Sequence, residues 1–369
     1  MLYLGTMSGT SMDGIDIAAI ETDGDAVSGF GPVAQRAFEA KERALLVRAI
    51  EDAKGLKVRE ARPGALAEAE AMVTDAHVVL VAEFLRENEI HPESVSAVGF
   101  HGQTVLHRPE AQLTVQIGDG AALASRTGLR TVWDLRAADV AAGGQGAPLV
   151  PIYHRALVRN VRVETPCAVV NLGGVGNVSY VDGETLLAFD TGPANALVDD
   201  WMLRNAGVAM DINGATASKG RVQEDRIATA LDAPYFALSP PKSVDRYDFD
   251  SLVDGLTEGL SVEDGAATLT AFSAACMARA VEHLPHAPET WVMTGGGARN
   301  PTFMAMLADR LPGSVYAASH FGWQTEHIEA QAFAYLAARS LRGLPLTFPG
   351  TTGIATPMTG GVVSEPASV

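Results

Sequence analysis

Leu2-Tyr3-Leu4-Gly5-Thr6-Met7-Ser8-Gly9-Thr10-Ser11-Met12-Asp13-Gly14-Ile15-Asp16-Ile17-Ala18-Ala19-Ile20 carries an apolar run into a glycine- and hydroxyl-rich turn and out into a second apolar run. The same layout returns at Ala168-Val169-Val170-Asn171-Leu172-Gly173-Gly174-Val175-Gly176-Asn177-Val178-Ser179-Tyr180-Val181. Two strand-glycine-strand hairpins in one chain predict two related half-domains. Glycine lets backbone N–H groups converge on an anion with no Cβ in the way, and small hydroxyl residues beside it add donors. Either hairpin alone reads as well as an ordinary tight turn.

A third cluster, Thr294-Gly295-Gly296-Gly297-Ala298-Arg299-Asn300-Pro301, follows the apolar run Trp291-Val292-Met293. It reads as a buried strand opening into a helix, a place where a base and ribose can approach backbone. The glycine spacing is not the G-x-G-x-x-G dinucleotide fingerprint, and the chain contains no G-x-x-x-x-G-K-[ST]. What remains resembles the α/β, two-lobed actin, hexokinase and heat-shock-protein arrangement, a duplicated ribonuclease H-like fold. One phosphate hairpin per lobe there clamps ATP in an interlobe cleft.

Further strings extend that resemblance to one family. Gly9 to Asp16, Gly99-Phe100-His101-Gly102-Gln103-Thr104, Gln116-Ile117-Gly118-Asp119-Gly120 and Arg136-Ala137-Ala138-Asp139 come in order. They are followed by Gly143-Gly144-Gln145-Gly146-Ala147-Pro148, Asn171-Leu172-Gly173-Gly174, Phe189-Asp190-Thr191-Gly192-Pro193, Thr294 to Gly297 and Phe348-Pro349-Gly350-Thr351-Thr352-Gly353. The set resembles the anhydro-N-acetylmuramic acid kinases over nearly the whole chain. Departures are local: Leu135 stands where an aromatic is common, and Lys242-Ser243-Val244-Asp245-Arg246-Tyr247 replaces K-S-T-G-R-E.

The resemblance implies a coupled reaction. Water, deprotonated by Asp190, opens a 1,6-anhydro sugar at the anomeric carbon, and the freed O6 takes the γ-phosphoryl of ATP. Kinases for levoglucosan or for a sugar with a free hydroxyl are the alternatives. The residues themselves leave Asp190 as either this carboxylate or the N-cap of the helix after it. Glu329 is a solvated helix-face residue or, by resemblance, the partner of Asp190 at Mg²⁺. Arg136 either grips a sugar carboxylate bidentately or pairs with Asp134 or Asp139. His101 and Gln103 read as sugar contacts or as structural loop residues. Asp119 reads as a helix N-cap and, by resemblance, as a substrate contact.

The resemblance assigns ATP to Gly9, Thr10, Ser11, Met12, Asp13, Gly14, Ile15 and Asp16 in the first hairpin. Asn171, Gly173 and Gly174 serve in the second, and Gly295, Gly296, Gly297 and Asn300 in the third cluster. It also implies a homodimer.

Composition sets bounds. A chain of 369 residues, 47% hydrophobic and 19% charged, is long enough for two cores. Its net charge of −17 argues against nucleic acid as a partner. An anionic substrate must then be met by locally gathered cations and N–H groups. Two cysteines provide no disulfide framework. No basic leader or membrane-length apolar run is present, so a cytoplasmic protein is expected. An ATP-driven chaperone would need an added peptide-binding domain, and a sensor-regulator a basic DNA-binding segment; neither is legible.

Apolar spacing predicts helices over 35–54, 65–89, 194–205, 262–284 and 326–341. Strands are predicted at 95–100, 113–117, 131–133 and 185–189, the last ending in a turn at Asp190. The lobes are expected to span 1–134 with 346–369, carrying the first hairpin, and 135–345, carrying the second hairpin, Asp190 and the third glycine cluster.

Overall fold

The computed structural model describes every residue except Thr10, Arg246, Tyr247, Ser368 and Val369. The chain forms two compact units, Met1–Asn160 with His327–Val369, and Val161–Glu326.

The first unit is built on a seven-stranded sheet. Strands β1 (Leu2–Ser8), β2 (Gly14–Thr22) and β3 (Val27–Ala37) form an antiparallel meander, and β4 (Val95–Arg108) and β6 (Thr131–Trp133) continue it in parallel. β5 (Leu113–Ile117) pairs with β4 off this path. The second unit repeats the plan: β7 (Cys167–Leu172), β8 (Val175–Asp182) and β9 (Thr185–Pro193) meander, and β10 (Thr290–Thr294) and β11 (Ser314–Ala317) add in parallel. The strand orders β3-β2-β1-β4-β6 and β9-β8-β7-β10-β11 match position for position, so the paired hairpins do mark a duplicated α/β fold of the actin and hexokinase type. The terminal strand β12 (Val362–Ser364) runs antiparallel to β6 and closes the first sheet's edge.

Both faces of the first sheet are covered, and its strands accordingly read as near-continuous apolar runs. Ile15, Ile17 and Ala19 alternate onto one face with Leu4, where Leu45, Leu46 and Ala49 of helix Ala40–Ala53 and Val73, Leu80 and Phe84 of helix Leu66–Glu87 meet them. The other face takes helix Ile328–Leu341 at unusually short range. A Cβ on Gly5 would stand 2.0 Å from the Ala330 carbonyl oxygen, and one on Gly99 the same distance from that of Phe333. Two glycines thus let this helix lie directly on β1 and β4.

In the second unit Ala168, Val170 and Leu172 of β7 meet Met277, Trp291, Met293 and Phe303 in the sheet core. A helical core around Leu197, Trp201, Phe236, Phe249, Leu269 and Phe272 lies beside it.

Several expectations shift. Residues 35–37 end strand β3, and the helix expected from 35 starts at Ala40, behind a Glu39 N-cap whose backbone N–H is held by Glu42. β3 contains Gly29, Gly31 and Pro32, which hid it. The strand expected to stop at Phe189 runs on to Pro193. Helix 194–205 is Ala196–Ala206, and helix 262–284 ends at Ala280. Residues 135–160 and 327–345 were expected with the second lobe. They fall in the first unit, where Tyr153 on helix Pro151–Asn160 donates to Gln331 Oε1 on helix Ile328–Leu341 at 3.0 Å.

Candidate active site

In the first unit β1, β4 and helix Ile328–Leu341 gather polar side chains. Arg136, after β6, donates from Nη1 to the Gly146 carbonyl oxygen at 2.9 Å and from Nη2 to His101 Nε2 at 3.4 Å. Arginine cannot accept, so His101 Nε2 is the unprotonated nitrogen and Nδ1 carries the proton. Burial, then the adjacent Arg136 charge, pulls the His101 pKa to about 3, so the ring is neutral. Arg136 pairs with neither aspartate considered from sequence. Asp134 binds Arg59 at 2.6 Å. Asp139, 2% exposed, accepts from Gly146 N at 2.6 Å and from Thr352 Oγ1 at 2.7 Å. One buried carboxylate therefore ties the 143–146 turn to the 348–353 segment and presents the Gly146 carbonyl to Arg136.

Glu329 is reached by solvent yet crowded by protein. Its pKa is raised, by burial first; Arg136 pulls it down and Asp16 pushes it up. Asp16 on β2 is raised to about 6 by burial. His327 Nδ1, 3.8 Å from Asp16, is neutral because burial lowers that imidazole's pKa. The unit thus holds two carboxylates, one guanidinium and two neutral histidines in one cluster.

The first glycine turn separates into parts. Gly14 and Ile15 are buried in the sheet, where a Gly14 Cβ would meet the Arg36 carbonyl oxygen at 2.4 Å. Met12 adopts φ 56°, and Ser11 and Asp13 are exposed. Gly9 keeps ordinary distances around a would-be Cβ, and its carbonyl accepts from Gln103 Nε2 at 3.1 Å. Thr10 lies outside the described residues. Gln103 is fully buried and props this turn from behind. Asp119 caps helix Gly120–Thr127, with Oδ1 accepting from Ala121 N and Ala122 N at 2.9 Å.

In the second unit the other two glycine clusters meet. A Gly295 Cβ would stand 2.4 Å from Asn171 Oδ1, and one on Gly297 2.7 Å from Leu172 Cβ. Gly295 also needs φ 75°. Gly296 faces open space. Asn195 Nδ2 donates to the carbonyls of Leu172 and Gly173 at 2.8 and 2.9 Å, and Ala194 N to that of Gly174 at 2.9 Å. The carbonyl side of the turn is thereby tied to 194–195. Asn300 caps helix Pro301–Arg310 through Phe303 N at 3.0 Å.

Asp190 sits inside β9, opposite Asn177, and the cap of the following helix is Asn195. That removes the N-cap reading. Its Oδ2 accepts from Val244 N at 3.0 Å, its N–H donates to the Lys242 carbonyl at 3.0 Å, and its carbonyl accepts from the Tyr235 hydroxyl at 2.6 Å. Burial raises its pKa to about 6, the Val244 N–H opposing.

Residues 1–366 match the family model described as anhydro-N-acetylmuramic acid kinase. The chain belongs to the anhydro-N-acetylmuramic acid kinase family. Relatives bearing that name include those of Nitrobacter winogradskyi, 55% identical over 99% of this chain and 100% of the relative, and Bradyrhizobium diazoefficiens, 54% identical over 98% and 99%. One from Rhodopseudomonas palustris BisB18 is 54% identical over 99% and 100%.

The family strings divide into two kinds in this chain. Asp16, His101, Arg136 and Glu329 gather as a titratable cluster, whereas Asp139, Gly144, Gly146, Thr352, Gln103, Asp119 and Asn300 hold backbone in place. Sequence reasoning missed Asn195 and Tyr235. Their contacts are to backbone, and no spacing in the chain announces them.

Proposed function

We propose that this protein is an ATP-dependent 1,6-anhydro-N-acetylmuramic acid kinase, making N-acetylmuramate 6-phosphate and ADP in murein recycling. The family match across residues 1–366 carries the reading. A kinase for levoglucosan or another sugar has no residue here that favours it, and Arg136 suits a substrate bearing a carboxylate.

Asp190 takes a proton from water. The water oxygen bonds to the anomeric carbon, the bond from that carbon to O6 breaks, and O6 takes the γ-phosphoryl as ADP leaves. A carboxyl with its pKa near 6 is ionised at neutral pH yet basic enough for this work. Arg136, held by Gly146 and His101, keeps guanidinium N–H groups for the lactyl carboxylate. The amides of Gly9 to Asp13 and of Gly173 and Gly174 bind phosphate oxygens, and Gly295 to Gly297 receive the nucleoside.

The carboxylates fit a divalent ion. Glu329 and Asp16 repel one another, a penalty that a cation relieves, and Mg²⁺ asks for few carboxylates beside waters and phosphate oxygens. By the family resemblance Asp190 and Glu329 are the residues that would hold it, and it would supply charge neutralisation at the transferring phosphoryl group.

Among the described residues no helix is long and apolar enough to cross a membrane, and Cys167 and Cys276 are free and buried, which suits the cytoplasm. We assign a homodimer as well. Exposed Leu203, Val208, Met210 and Ile212 offer apolar area for it, and light scattering giving a monomer mass would refute it.

The test is mass spectrometry of product from the anhydro sugar, ATP and Mg²⁺ in ¹⁸O-water. One phosphate plus one labelled oxygen is expected, lost in Asp190→Asn. Turnover of levoglucosan or a ring-open hexose, with none of the muramyl sugar, would reject the reading.

A further inference from the structure

Three contacts hold Asp190 from a single segment, and none belongs to the sheet. The Tyr235 hydroxyl reaches its carbonyl oxygen, the Lys242 carbonyl takes its N–H, and the Val244 N–H binds Oδ2. The segment is itself braced: the Tyr235 ring packs edge-on against Phe236 and Phe249, and Lys242 Nζ lies 4.7 Å over that ring and 3.2 Å from His283 Nε2. Asp190 lies beside a register shift in the β8–β9 pairing, between Gly176 and Asn177, where ladder bonds are irregular and backbone groups are released. The segment takes them up.

We infer that residues 235–244 form a clasp that sets the orientation of Asp190, with Tyr235 as a positioning residue for the reaction. The inference rests on the reading of Asp190 as the base. It also gives work to a stretch where the chain departs from the family pattern. At Val244, where the chain departs from that pattern, what reaches Asp190 is backbone, so the side chain is free to differ while the N–H stays in place; the Lys242 side chain, which the pattern shares, braces Tyr235.

Tyr235→Phe removes the hydroxyl and keeps the ring stack. Compared with wild type, kcat is expected to fall about tenfold with KM for ATP little changed, since a small misplacement of a reacting group costs rate before binding. Val244→Pro deletes the N–H to Asp190 Oδ2 and should lower kcat in the same way, again with KM for ATP little changed.

A merely structural hydroxyl would lower Tm and leave kcat per folded molecule where it is. An unchanged kcat per folded molecule in Tyr235→Phe overturns the clasp, whether or not Val244→Pro folds. Asp190→Asn in the same series separates the two claims. If it keeps wild-type turnover, Asp190 is not the base. If it is inactive while Tyr235→Phe behaves as wild type, only the clasp is lost.

Discussion

Arg136 donates to His101 Nε2, and His101 is a neutral, buried ring whose proton is confined to Nδ1. The histidine therefore acts on substrate through the arginine. A hydrogen bond from a charged donor contributes about 1.5–3 kcal/mol, so losing this one in His101→Ala should raise KM for the anhydro sugar by about tenfold or more. KM for ATP should hold. Arg136→Lys, which forfeits the fork, should cost at least as much. Because the ring stays neutral down to about pH 3, no His101 step should appear between pH 5 and 8. A C2-proton NMR resonance for His101 titrating in that window would refute the placement.

Asp190 gives two pH effects of opposite sign. Activity needs the carboxylate, so kcat should fall about tenfold per unit below its pKa of about 6. Stability runs the other way. A carboxyl whose pKa is raised on folding binds its proton more tightly in the native state, so its contribution is present below the unfolded value near 4 and is lost as pH rises through about 6. Asp190→Asn keeps the shape and an acceptor for Val244 N–H. It should therefore abolish turnover and stabilise the fold at pH 7.5 by about 1 kcal/mol, read from urea midpoints. A destabilised Asp190→Asn would show that burial is not what raises this pKa.

How much of this was legible in the sequence depends on the kind of contact. The duplicated hairpins were readable because a strand-turn-strand is local, and apolar runs such as Leu2–Leu4 and Ala168–Val170 announce themselves. Strand β3 was not, because Gly29, Gly31 and Pro32 mask it and its partner β2, not its own composition, makes it a strand. The helix Pro151–Asn160 was not among the predicted helices, since proline signals a break more often than the first residue of a helix, where it is also tolerated. Among site residues, Arg136, Asp190 and Glu329 carry recognisable chemistry. Asn195 and Tyr235 act through backbone atoms of residues distant in sequence, and Asp139 through the Gly146 N–H and the distant Thr352 hydroxyl; such contacts leave no periodic trace. Motif membership also did not distinguish a residue facing a ligand from one holding a turn, as Gln103 shows by spending its amide on the Gly9 carbonyl.

The third glycine cluster separates a fold requirement from a binding requirement. Gly296 has open space where its Cβ would go, so Gly296→Ala should leave Tm within about a degree while raising KM for ATP, as a methyl group enters the volume assigned to the nucleoside. Gly295→Ala forces an L-residue to φ 75° and against Asn171 Oδ1, and should cost about 1–3 kcal/mol of stability. Differential scanning calorimetry beside ATP kinetics reads both. Equal losses of stability would remove the distinction between the two positions.

Helix Ile328–Leu341 carries Glu329 in its first turn, and Gly5 and Gly99 set how closely that helix approaches the sheet. At each glycine a Cβ would stand 2.0 Å from a helix carbonyl oxygen, and that neighbour is backbone, which cannot swing aside as a side-chain tip would. Gly99→Ala must therefore lift the helix, at a cost of about 1–3 kcal/mol or more for overpacking. The lift acts on the site too. Glu329 moves relative to Arg136 and Asp16, which are placed by β6 and β2 and not by the helix. The folded fraction of Gly99→Ala should thus show a lower kcat along with a weaker dependence on Mg²⁺, while Ala338→Gly, far along the same helix, should lose stability with kcat per folded molecule kept. Measuring Mg²⁺ titrations of kcat on the two variants decides it. Equal Mg²⁺ dependence in both would mean that the helix tolerates displacement without carrying Glu329 with it.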